Sequence, residues 1–477
     1  MSTRAPRPQE PTGTRTERDP LGDVAVPAWA LYGAQTQRAL DNFPISGYGP
    51  LAEFVRAILL IKRAAALTHR ETGRLGPEAA DAIVRAADEA LRGDHADQFV
   101  VDVYQAGAGT SLHMNVNEVL ANRANELLGA ARGAYAPVHP NDHVNMAQST
   151  NDVIPTAIRL AALLGAPALA SALRELAQGL AAKGVEFDAI VKAGRTHLQD
   201  AMPIRLGQEF AGWSGTMARH VRRVDEAAEY LRDLGIGGSA VGTGVNVEPE
   251  YPERIVAHLR DATGVALRAA ADRIQLMQSM GDVAAYSGTL RAVAVDLSKV
   301  ASDLRLLTSG PRTGLAEITL PAVQPGSSIM PGKVNPSIPE MVNQVCFQVI
   351  GNDATITLAA EHGQLELNVM MPVIGHNLLL AQRILTNAVT TLARRCVVGI
   401  TADADQASHW VERSPALATA LAPYIGYAKA AELAKESVRT GESIRELATR
   451  RKVLPPDELA RVLDLARMTE IGVPGRD

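Results

Sequence analysis

The apolar stripe between residues 283 and 307 constrains the fold more than any other feature of the sequence. Apolar residues recur there at alternating steps of three and four, at positions 283, 286, 290, 293, 297, 300, 304 and 307. That spacing places them along one side of an α-helix, while Asp296, Lys299 and Asp303 fall on the other side. The stripe ends at SGPRTG (309–314), where glycine and proline end helices. The segment is therefore predicted to be a long helix that packs against others.

Comparable long helical patterns occupy roughly residues 155–185, 204–234, 340–361 and 367–394. Five long helices joined by irregular loops are typical of a helical bundle. Two shorter amphipathic helices are predicted within residues 51–94. Aromatic residues make up only 4% of the chain, and this favours packing between Ala- and Leu-rich helices over a β-sandwich. The predicted fold class is mainly α.

The patterns divide the chain into four parts. Residues 1–18 are polar and proline-rich and are predicted to form a disordered N-terminal arm. An N-terminal domain follows at 19–147, a central helical-bundle domain at 148–400, and a small C-terminal helical domain at 401–477. Helices of about 30 residues span about 45 Å and need apolar cover on more than one side. We therefore expect subunits to share a helical core.

Charge and cysteine content exclude several classes of protein. The formal net charge is -5 and no basic block is present, so neither nucleic acid nor a membrane is a predicted partner. Cys346 and Cys396 lie in apolar helical patterns, without a disulfide framework or zinc-ligand spacing. The N-terminus lacks the apolar core of a signal peptide. These features predict a cytoplasmic protein with no bound metal or cofactor.

Four polar stretches interrupt the helical patterns and concentrate hydroxyl, amide and imidazole groups. They are QAGAGTSLHMN (105–115), HPNDHVNMAQSTND (139–152), GRTHLQD (194–200) and PGSSIMPGKVNP (325–336). All four are predicted to be loop-like. The last contains three prolines and two glycines in twelve residues, a composition that favours a loop.

The shared feature of these stretches is hydrogen-bond donors suited to a small anion. The candidate donors are Thr110, Ser111, Ser149, Thr150, Asn151, Thr196, Ser327, Ser328 and Asn335. Lys333 would add a compact positive charge for a carboxylate. The clustering of these residues, and no single one of them, predicts an anion site.

Each candidate also has a plain structural explanation. STND (149–152) ahead of an apolar run is a typical helix N-terminus, where its first residues act as caps. His197 alone is consistent with a histidine whose hydrogen bonds are satisfied within the fold. Lys333 is consistent with a solvated lysine, and Ser327–Ser328 with turn residues.

Several familiar chemistries lack their sequence context. QAGAGT is a loose glycine pattern outside a βαβ unit, so it does not indicate a dinucleotide site. No G-x-S-x-G motif surrounds Ser327, and no set of His, Asp and Glu has the spacing of metal ligands. Acid–base chemistry on a small anionic substrate remains. A structural oligomer that has lost its activity is the alternative from a different class.

GSSIMPGKVNP (326–336) resembles the signature of the fumarase/aspartase superfamily. The resemblance extends from about Asp19 to Pro474 and includes NEVLANRANELLG, GRTHLQDAMPIRLGQEF and GQLELNV. It implies a mainly α, three-domain fold with a central long-helix bundle that forms a tetrameric helical core. Each active site would then combine 149–151, 196–197 and 327–335 from three different subunits.

Smaller sequence differences favour the aspartase side of the superfamily. QAGAGTS, QSTND (148–152) and residues 339–376 resemble aspartases more than fumarases. The implied reaction is the reversible deamination of L-aspartate to fumarate and ammonia through an aci-carboxylate intermediate. The alternatives are hydration of fumarate to L-malate and elimination from a modified succinate.

The resemblance also implies roles for the candidate residues. The carboxylate that gains the second negative charge would be held by Thr110, Ser149, Thr150 and Ser328. The other carboxylate would be held by Thr196, Lys333 and Asn335, with His197 nearby. Asn151 would contact the amino group together with Thr110.

Ser327 matches the family's general base, and Glu340 matches a carboxylate that orients His197. Glu340 following Pro339 is equally consistent with a first-turn helix glutamate. One position departs from the family, which has asparagine where this chain has His113. Either His113 touches the substrate and changes which leaving group or carboxylate is accepted, or it is a neighbour of the site without that role.

Overall fold

The protein is mainly α-helical, as predicted, in a computed structural model that describes residues 13–476. The helices are α1 (Ala34–Asn42), α2 (Ala52–Glu71), α3 (Pro77–Leu91), α4 (Thr110–Leu127), α5 (Thr150–Glu186), α6 (Leu206–Glu229), α7 (Tyr251–Thr263), α8 (Arg273–Gln278), α9 (Gly281–Leu307), α10 (Ser337–Glu361), α11 (Met371–Arg395), α12 (Ala404–Arg413), α13 (Ala418–Ile425), α14 (Tyr427–Thr440), α15 (Ile444–Arg450) and α16 (Pro456–Val462). The five predicted long helices are confirmed as α5, α6, α9, α10 and α11.

Helix α9 shows why the periodicity predicted the fold. All eight apolar positions of its stripe are buried, and the most exposed of them, Leu307, is 6% exposed. Burial of such side chains is worth roughly 1.5–3 kcal/mol each, which is where most of the stability of a helix in a protein originates. The stripe therefore identifies a core helix.

Contacts divide the chain into two compact units. The first extends to Ala170 and also contains Arg223–Ala292 and Phe347–Leu385. The second contains Ser171–Arg222 and Val293–Cys346, and continues from Thr386. The division of the sequence at residues 147/148 and 400/401 stays a prediction.

In the described part of the chain, four small two-stranded sheets accompany the helices, and none was predicted. Three are antiparallel: β1 (Thr14–Asp19) with β2 (Gly22–Pro27), β3 (Val191–Thr196) with β4 (Gln199–Arg205), and β7 (Ile318–Thr319) with β8 (Thr401–Ala402). β5 (Asp233–Leu234) pairs with β6 (Arg268–Ala269) in parallel.

The predicted disordered arm at residues 1–18 was wrong from Thr14 onward, while residues 1–12 lie outside the described residues. Residues 14–19 form β1 because their charges are paired within the fold. Glu17 is 3% exposed and accepts the Arg15 Nε–H at 2.8 Å and the Ala34 N–H at 2.9 Å. Arg15 also donates to the carbonyls of Pro27 and Ala30.

The polar tract predicted to be irregular contains helix α4, so the loop-like prediction for 105–115 was wrong from Thr110. The helix is unusual because many of its buried side chains are polar: Asn115, Asn117, Glu118, Asn122 and Asn125 are at most 1% exposed. Most of them bond to the backbone of distant loops. The Glu118 carboxylate accepts the N–H groups of Gly33, Gln35 and Thr36 at 2.9–3.1 Å.

Loop attachment by α4 continues along the helix. Asn115 bonds to the backbone of Gln98 and Val100, Asn122 to that of Leu31 and Gly133, and Asn125 to that of Val138. Because these three asparagines and their backbone partners satisfy one another, burying them costs little. The position of α4 therefore depends on segments that lie far away in the sequence.

Replacing Arg159 by methionine is expected to destabilise the fold by about 3–5 kcal/mol, because it leaves a largely buried carboxylate without its partner. Arg159 is fully buried and holds Asp282 through two hydrogen bonds of 2.7 and 2.9 Å. Urea unfolding measures the loss. Arg394, which binds the exposed Glu175 with the same two-bond geometry, is the matched control, and Arg394→Met should have little effect. Equal losses for the two variants would contradict the prediction.

Candidate active site

The start of α5 carries the first group of candidate residues. Ser149 Oγ accepts the Asn151 N–H at 3.2 Å, and the Ser149 N–H donates to Asp152 Oδ1 at 2.9 Å. This reciprocal pair caps the helix, so the structural explanation for STND is present in the fold. Asn151 donates its side-chain N–H to the Ala240 carbonyl at 2.8 Å. The capping fixes the backbone from which Ser149 and Thr150 present their hydroxyl groups.

Asp152 anchors this helix start to the residues that follow α6. It is fully buried and accepts the N–H groups of Gly237 at 3.0 Å and Ser239 at 2.9 Å. Burial raises the pKa of Asp152 to about 6, although the three backbone donors oppose that rise. The carboxylate is therefore ionised near neutral pH, where it holds the segment in place.

Thr110 stands at the N-terminus of α4, close to that of α5. The backbone before it is in the left-handed region, with φ of 62° at Ala108 and 91° at Gly109. His113, in the first turn of α4, places Nδ1 2.7 Å from Thr150 Oγ1. Two helix N-termini, each with partial positive charge, thus present threonine hydroxyls in the same region. This arrangement favours an anion.

His113 does not lie at the surface of the chain. It is 1% exposed, and its Nε2 is 2.6 Å from Lys62 Nζ. The geometry therefore places it behind Thr150, as a neighbour of the candidate site. Lys62 was missed by the sequence reasoning, although a lysine within the apolar face of α2, beside Ile58 and Ile61, was a signal.

The loop at 325–336 carries the second group. Its ends are joined by a hydrogen bond from the Gly326 N–H to the Lys333 carbonyl at 2.8 Å, and by one from the Asn335 side chain to the Gly326 carbonyl at 2.6 Å. Inside the loop, Ser327 Oγ accepts the N–H groups of Ile329 at 3.2 Å and Met330 at 2.8 Å. Backbone donors aimed at one oxygen stabilise negative charge on that oxygen.

Glycine is required at position 326. A Cβ there would lie against the Lys333 carbonyl oxygen and 2.7 Å from the Asn335 nitrogen, both of them backbone atoms. Ser327 and Asn335 are half-buried, while Ser328 and Lys333 are exposed. In the described part of the chain Lys333 forms no ion pair, so its charge is available to a ligand.

The third group lies on the β3–β4 hairpin, which replaces the loop predicted at 194–200. His197 and Leu198 form its two-residue turn with φ of 57° and 59°. Such turns favour residues like Asn and Gly, and a non-glycine pair held there stores strain, a feature that clusters at functional sites. Thr196 and His197 are both exposed.

A buried ionic cluster supports the base of this hairpin. Lys192, which is 1% exposed, pairs with Glu209 at 2.8 Å and with Glu317 at 3.1 Å. Arg195 pairs with Glu317 at 2.8 Å. These contacts hold the strand that carries Thr196 and His197.

Glu340 lies in the first turn of α10. No hydrogen bond or ion pair joins it to His197 within residues 13–476 of one chain, so the proposed pairing stays a prediction. The candidate residues fall into both compact units: Thr110 and 149–151 in the first, and the hairpin, the 325–336 loop and Glu340 in the second.

Residues 13–476 offer no candidates for a metal site or for a reactive thiol. Among residues 13–476, no three His, Cys, Asp or Glu side chains are grouped as metal ligands. Cys346 and Cys396 are free and buried, and burial raises the pKa of each thiol to about 12. Neither cysteine is therefore a reactive thiolate.

The chain matches two family models. One is described as lyase and covers residues 22–351, and the other is described as fumarase C C-terminus and covers residues 417–470. Aspartate ammonia-lyase of Bacillus subtilis (strain 168) is 46% identical over 463 residues, which is 97% of this chain and 98% of that protein.

One further protein and one solved structure are similar to this chain over nearly its whole length. Fumarate hydratase class II of Halobacterium salinarum is 49% identical over 463 residues, 96% of this chain and 98% of that protein. The crystal structure of fumarate lyase:delta crystallin from Brucella melitensis bound to cobalt has a TM-score of 0.91 at 49% identity, over 96% of this chain and 100% of that one. The chain therefore belongs to the fumarase/aspartase superfamily of lyases.

Proposed function

We propose that the protein is an aspartate ammonia-lyase, a carbon–nitrogen lyase that converts L-aspartate to fumarate and ammonia. Similarity to aspartate ammonia-lyases over nearly the whole chain supports the substrate, a small dicarboxylate. The observation that carries the chemistry is the pair of backbone N–H groups on Ser327 Oγ. A serine that must act as a base needs such donors, because its alkoxide is otherwise too unstable.

The proposed reaction is an elimination across C2 and C3 of aspartate. The Ser327 alkoxide takes the C3 proton, and the electrons of that C–H bond pass to the neighbouring carboxylate as an aci-carboxylate. They then return to form the C2–C3 double bond while the C2–N bond breaks and ammonia leaves. The intermediate carries two negative charges on one carboxyl group, so preorganised donors around that group are the main requirement.

Residues from all three groups would meet this requirement. We assign the aci-carboxylate to Thr110, Ser149, Thr150 and Ser328, and the other carboxylate to Thr196, Lys333 and Asn335. His197 lies near the second carboxylate, and Glu340 orients it. Asn151 contacts the amino group with Thr110. The helix N-termini at Thr110 and Thr150 support the first assignment, because both favour negative charge.

The proposal is tested by following fumarate absorbance with L-aspartate and L-malate supplied separately. Fumarate from aspartate, with an equal amount of ammonia, is the expected result. Fumarate from malate alone would make the protein a fumarate hydratase, the second candidate, with which the 49% identity to the Halobacterium salinarum enzyme is consistent. If neither substrate gives fumarate, elimination from a modified succinate is the remaining candidate reaction.

We further propose a homotetramer whose active sites are each shared by three subunits. Large apolar side chains on the long helices are exposed in the single chain: Val295 is 52%, Phe347 63% and Leu358 61% exposed. Apolar exposure of this kind on core helices is typical of a surface covered by another subunit. We also propose the division of each subunit into three domains, at residues 19–147, 148–400 and 401–477.

Mixing two inactive variants tests the shared sites. If Ser327 and His197 of one site come from different subunits, randomly mixed tetramers of Ser327→Ala and His197→Ala should regain roughly one quarter of full activity. About half of the sites have an intact Ser327, and about half of those also have an intact His197. Activity is measured after the subunits are dissociated and reassembled together. No recovery in tetramers verified to be mixed would contradict sharing.

We also propose a cytoplasmic location. Between residues 13 and 476, one helix, Thr150–Glu186, is long and apolar enough to cross a membrane, but 78% of its most apolar window is buried inside the fold. A core helix of a globular protein has this pattern. The two free, buried cysteines are consistent with a reducing compartment.

A further inference from the structure

Lys62 is fully buried in the middle of α2, and the elimination chemistry does not use it directly. Its Nζ has three partners: Asn145 Oδ1 at 2.9 Å, Gln148 Oε1 at 2.9 Å and His113 Nε2 at 2.6 Å. Three partners match the three N–H bonds of an ammonium group. A buried lysine with this surrounding needs an explanation, because burying a charge is costly.

The amide partners present their oxygen atoms to Lys62. Asn145 uses its NH2 group to donate to the Gln148 carbonyl at 3.2 Å. Gln148 uses its NH2 group to donate to the carbonyls of Val144 at 3.2 Å and Met146 at 3.1 Å. Two of the three Lys62 protons are therefore directed to fixed acceptors, and the third faces the His113 ring.

The charge of Lys62 then decides which nitrogen of His113 carries the proton. Burial and the nearby Lys62 lower the pKa of His113 well below its usual value, so the ring is neutral and has a single N–H. An ammonium donates to Nε2, which leaves the proton on Nδ1. Nδ1–H then donates to Thr150 Oγ1 at 2.7 Å. The hydroxyl proton of Thr150 is free to point elsewhere.

A neutral Lys62 reverses the direction of the hydrogen bonds from Lys62 to His113 and from His113 to Thr150. Its two remaining N–H bonds stay on Asn145 and Gln148, and its lone pair accepts a proton from Nε2–H. Nδ1 becomes an acceptor, and the Thr150 hydroxyl turns its proton toward the ring. The oxygen of Thr150 then faces the substrate without a proton to donate.

We propose that Lys62 and His113 are positioning residues that direct the Thr150 hydroxyl proton toward the substrate carboxylate, and that they do so only while Lys62 is charged. The proposal rests on the assigned function, because it takes Thr150 to be a substrate ligand. It gives the His113 departure from the family a specific role that does not require contact with the substrate.

Other ionisable groups lie on α2 and on the elements packed against it. His69 on α2 is buried, burial lowers its pKa, and its Nε2 lies 2.9 Å from the Met146 carbonyl. Burial lowers the pKa of Lys62 well below its usual value, while the carboxylate of Asp152 on α5 opposes the change. On α7, burial raises the pKa of Tyr251, so this residue stays neutral. Charged side chains around α2 also form ion pairs with neighbouring segments: Arg63–Asp88, Arg70–Asp81, Arg74–Glu248, Arg383–Glu53 and Glu71 with Arg254 and His258.

The tautomer of His113 is the direct test. The intact oligomer is labelled with ¹⁵N-histidine, and the ring signals of His113 are identified by their loss in His113→Asn. Nitrogen-15 shifts separate a protonated ring nitrogen from an unprotonated one. We expect the proton on Nδ1 on the acidic side of the pKa of Lys62 and its transfer to Nε2 as the pH rises through that pKa. A proton that stays on Nε2 at every pH at which the protein is folded would overturn the proposal.

The functional consequence is measured with succinate, an unreactive dicarboxylate, by calorimetry at pH values on both sides of the transition that the His113 ring signals show. Loss of one hydrogen bond to a charged group corresponds to about a 10- to 100-fold weaker affinity. Wild-type affinity should fall by that factor as pH rises, whereas Lys62→Met should bind weakly at every pH. The control is Lys183→Met, which removes another largely buried lysine, one bonded to the Ile400 carbonyl and Glu186. It should keep the wild-type profile.

The outcomes separate the two proposals. If wild type binds no succinate at pH 7, the dicarboxylate function fails, whatever the ring shows. If wild type binds and Lys62→Met keeps the wild-type alkaline loss, the positioning role fails while the function stands. If Lys62→Met does not fold, the wild-type tautomer decides alone.

Discussion

Replacing Ser327 by alanine is expected to lower kcat by about 10²–10⁴-fold, the usual contribution of a general base. The KM for L-aspartate should change by less than about threefold, because Ser327 acts on the C3 proton and holds neither carboxylate. The two backbone N–H groups on Ser327 Oγ are the physical reason, since they stabilise an alkoxide in a loop that glycine and proline shape. Steady-state kinetics by fumarate absorbance measure both constants.

The control for this variant is Ser337→Ala. Ser337 lies just beyond the same loop, and its hydroxyl makes one long hydrogen bond of 3.4 Å to the Asn335 carbonyl. Its removal should leave kcat and KM unchanged. A Ser327→Ala enzyme with near-normal kcat would end the assignment of the base. An unchanged kcat with a raised KM would instead make Ser327 a binding residue.

The second large effect is expected from Gly326→Ala. The added methyl group would meet the backbone of Lys333 and Asn335, so the hydrogen bond between Gly326 and Lys333 must break and the loop must open. Displacing a base by about 1 Å costs about 10²-fold in rate, so kcat should fall by at least that factor. Thermal unfolding should change little, because the loop is largely exposed.

Gly76→Ala provides the matched control for the glycine substitution. Gly76 has φ of -58°, and a Cβ there would meet nothing within 4 Å. The variant should keep full activity and stability. A Gly326→Ala enzyme with wild-type kcat would show that the closed loop geometry is not needed for turnover.

The sequence predicted the parts of the fold that depend on local periodicity. Helix α9 was found because each step of its stripe buries an apolar side chain. Helix α4 was not, because asparagine and glutamate interrupt the apolar side chains that it buries, and their partners lie up to 91 residues away. The same holds for β1, where Arg15 and Glu17 look like solvated charges until the residues at 27–34 are placed beside them.

The candidate site likewise contains residues that the local sequence identifies and residues that only the packing of distant segments identifies. Ser327, Lys333 and Asn335 stand in one short motif, and local composition was enough to single them out. Lys62 and His113 are 51 residues apart, and only the packing of α2 against α4 brings their nitrogen atoms to 2.6 Å. Sequence reasoning identified His113 as a departure without finding what it contacts.

The polar face of α4 has a consequence for how this part of the molecule opens. Backbone amides of Gly33, Val100, Gly133 and Val138 all donate to side chains of one helix. Release of the Val100, Gly133 or Val138 amide leaves a buried asparagine oxygen on α4 unpaired, which costs about 1–3 kcal/mol. Release of the Gly33 amide removes one of the donors that surround the buried Glu118 carboxylate. These four amides should therefore exchange with deuterated solvent as one cooperative unit, although they are spread over more than a hundred residues of sequence. The loops behave as a single folding unit with the helix as its centre.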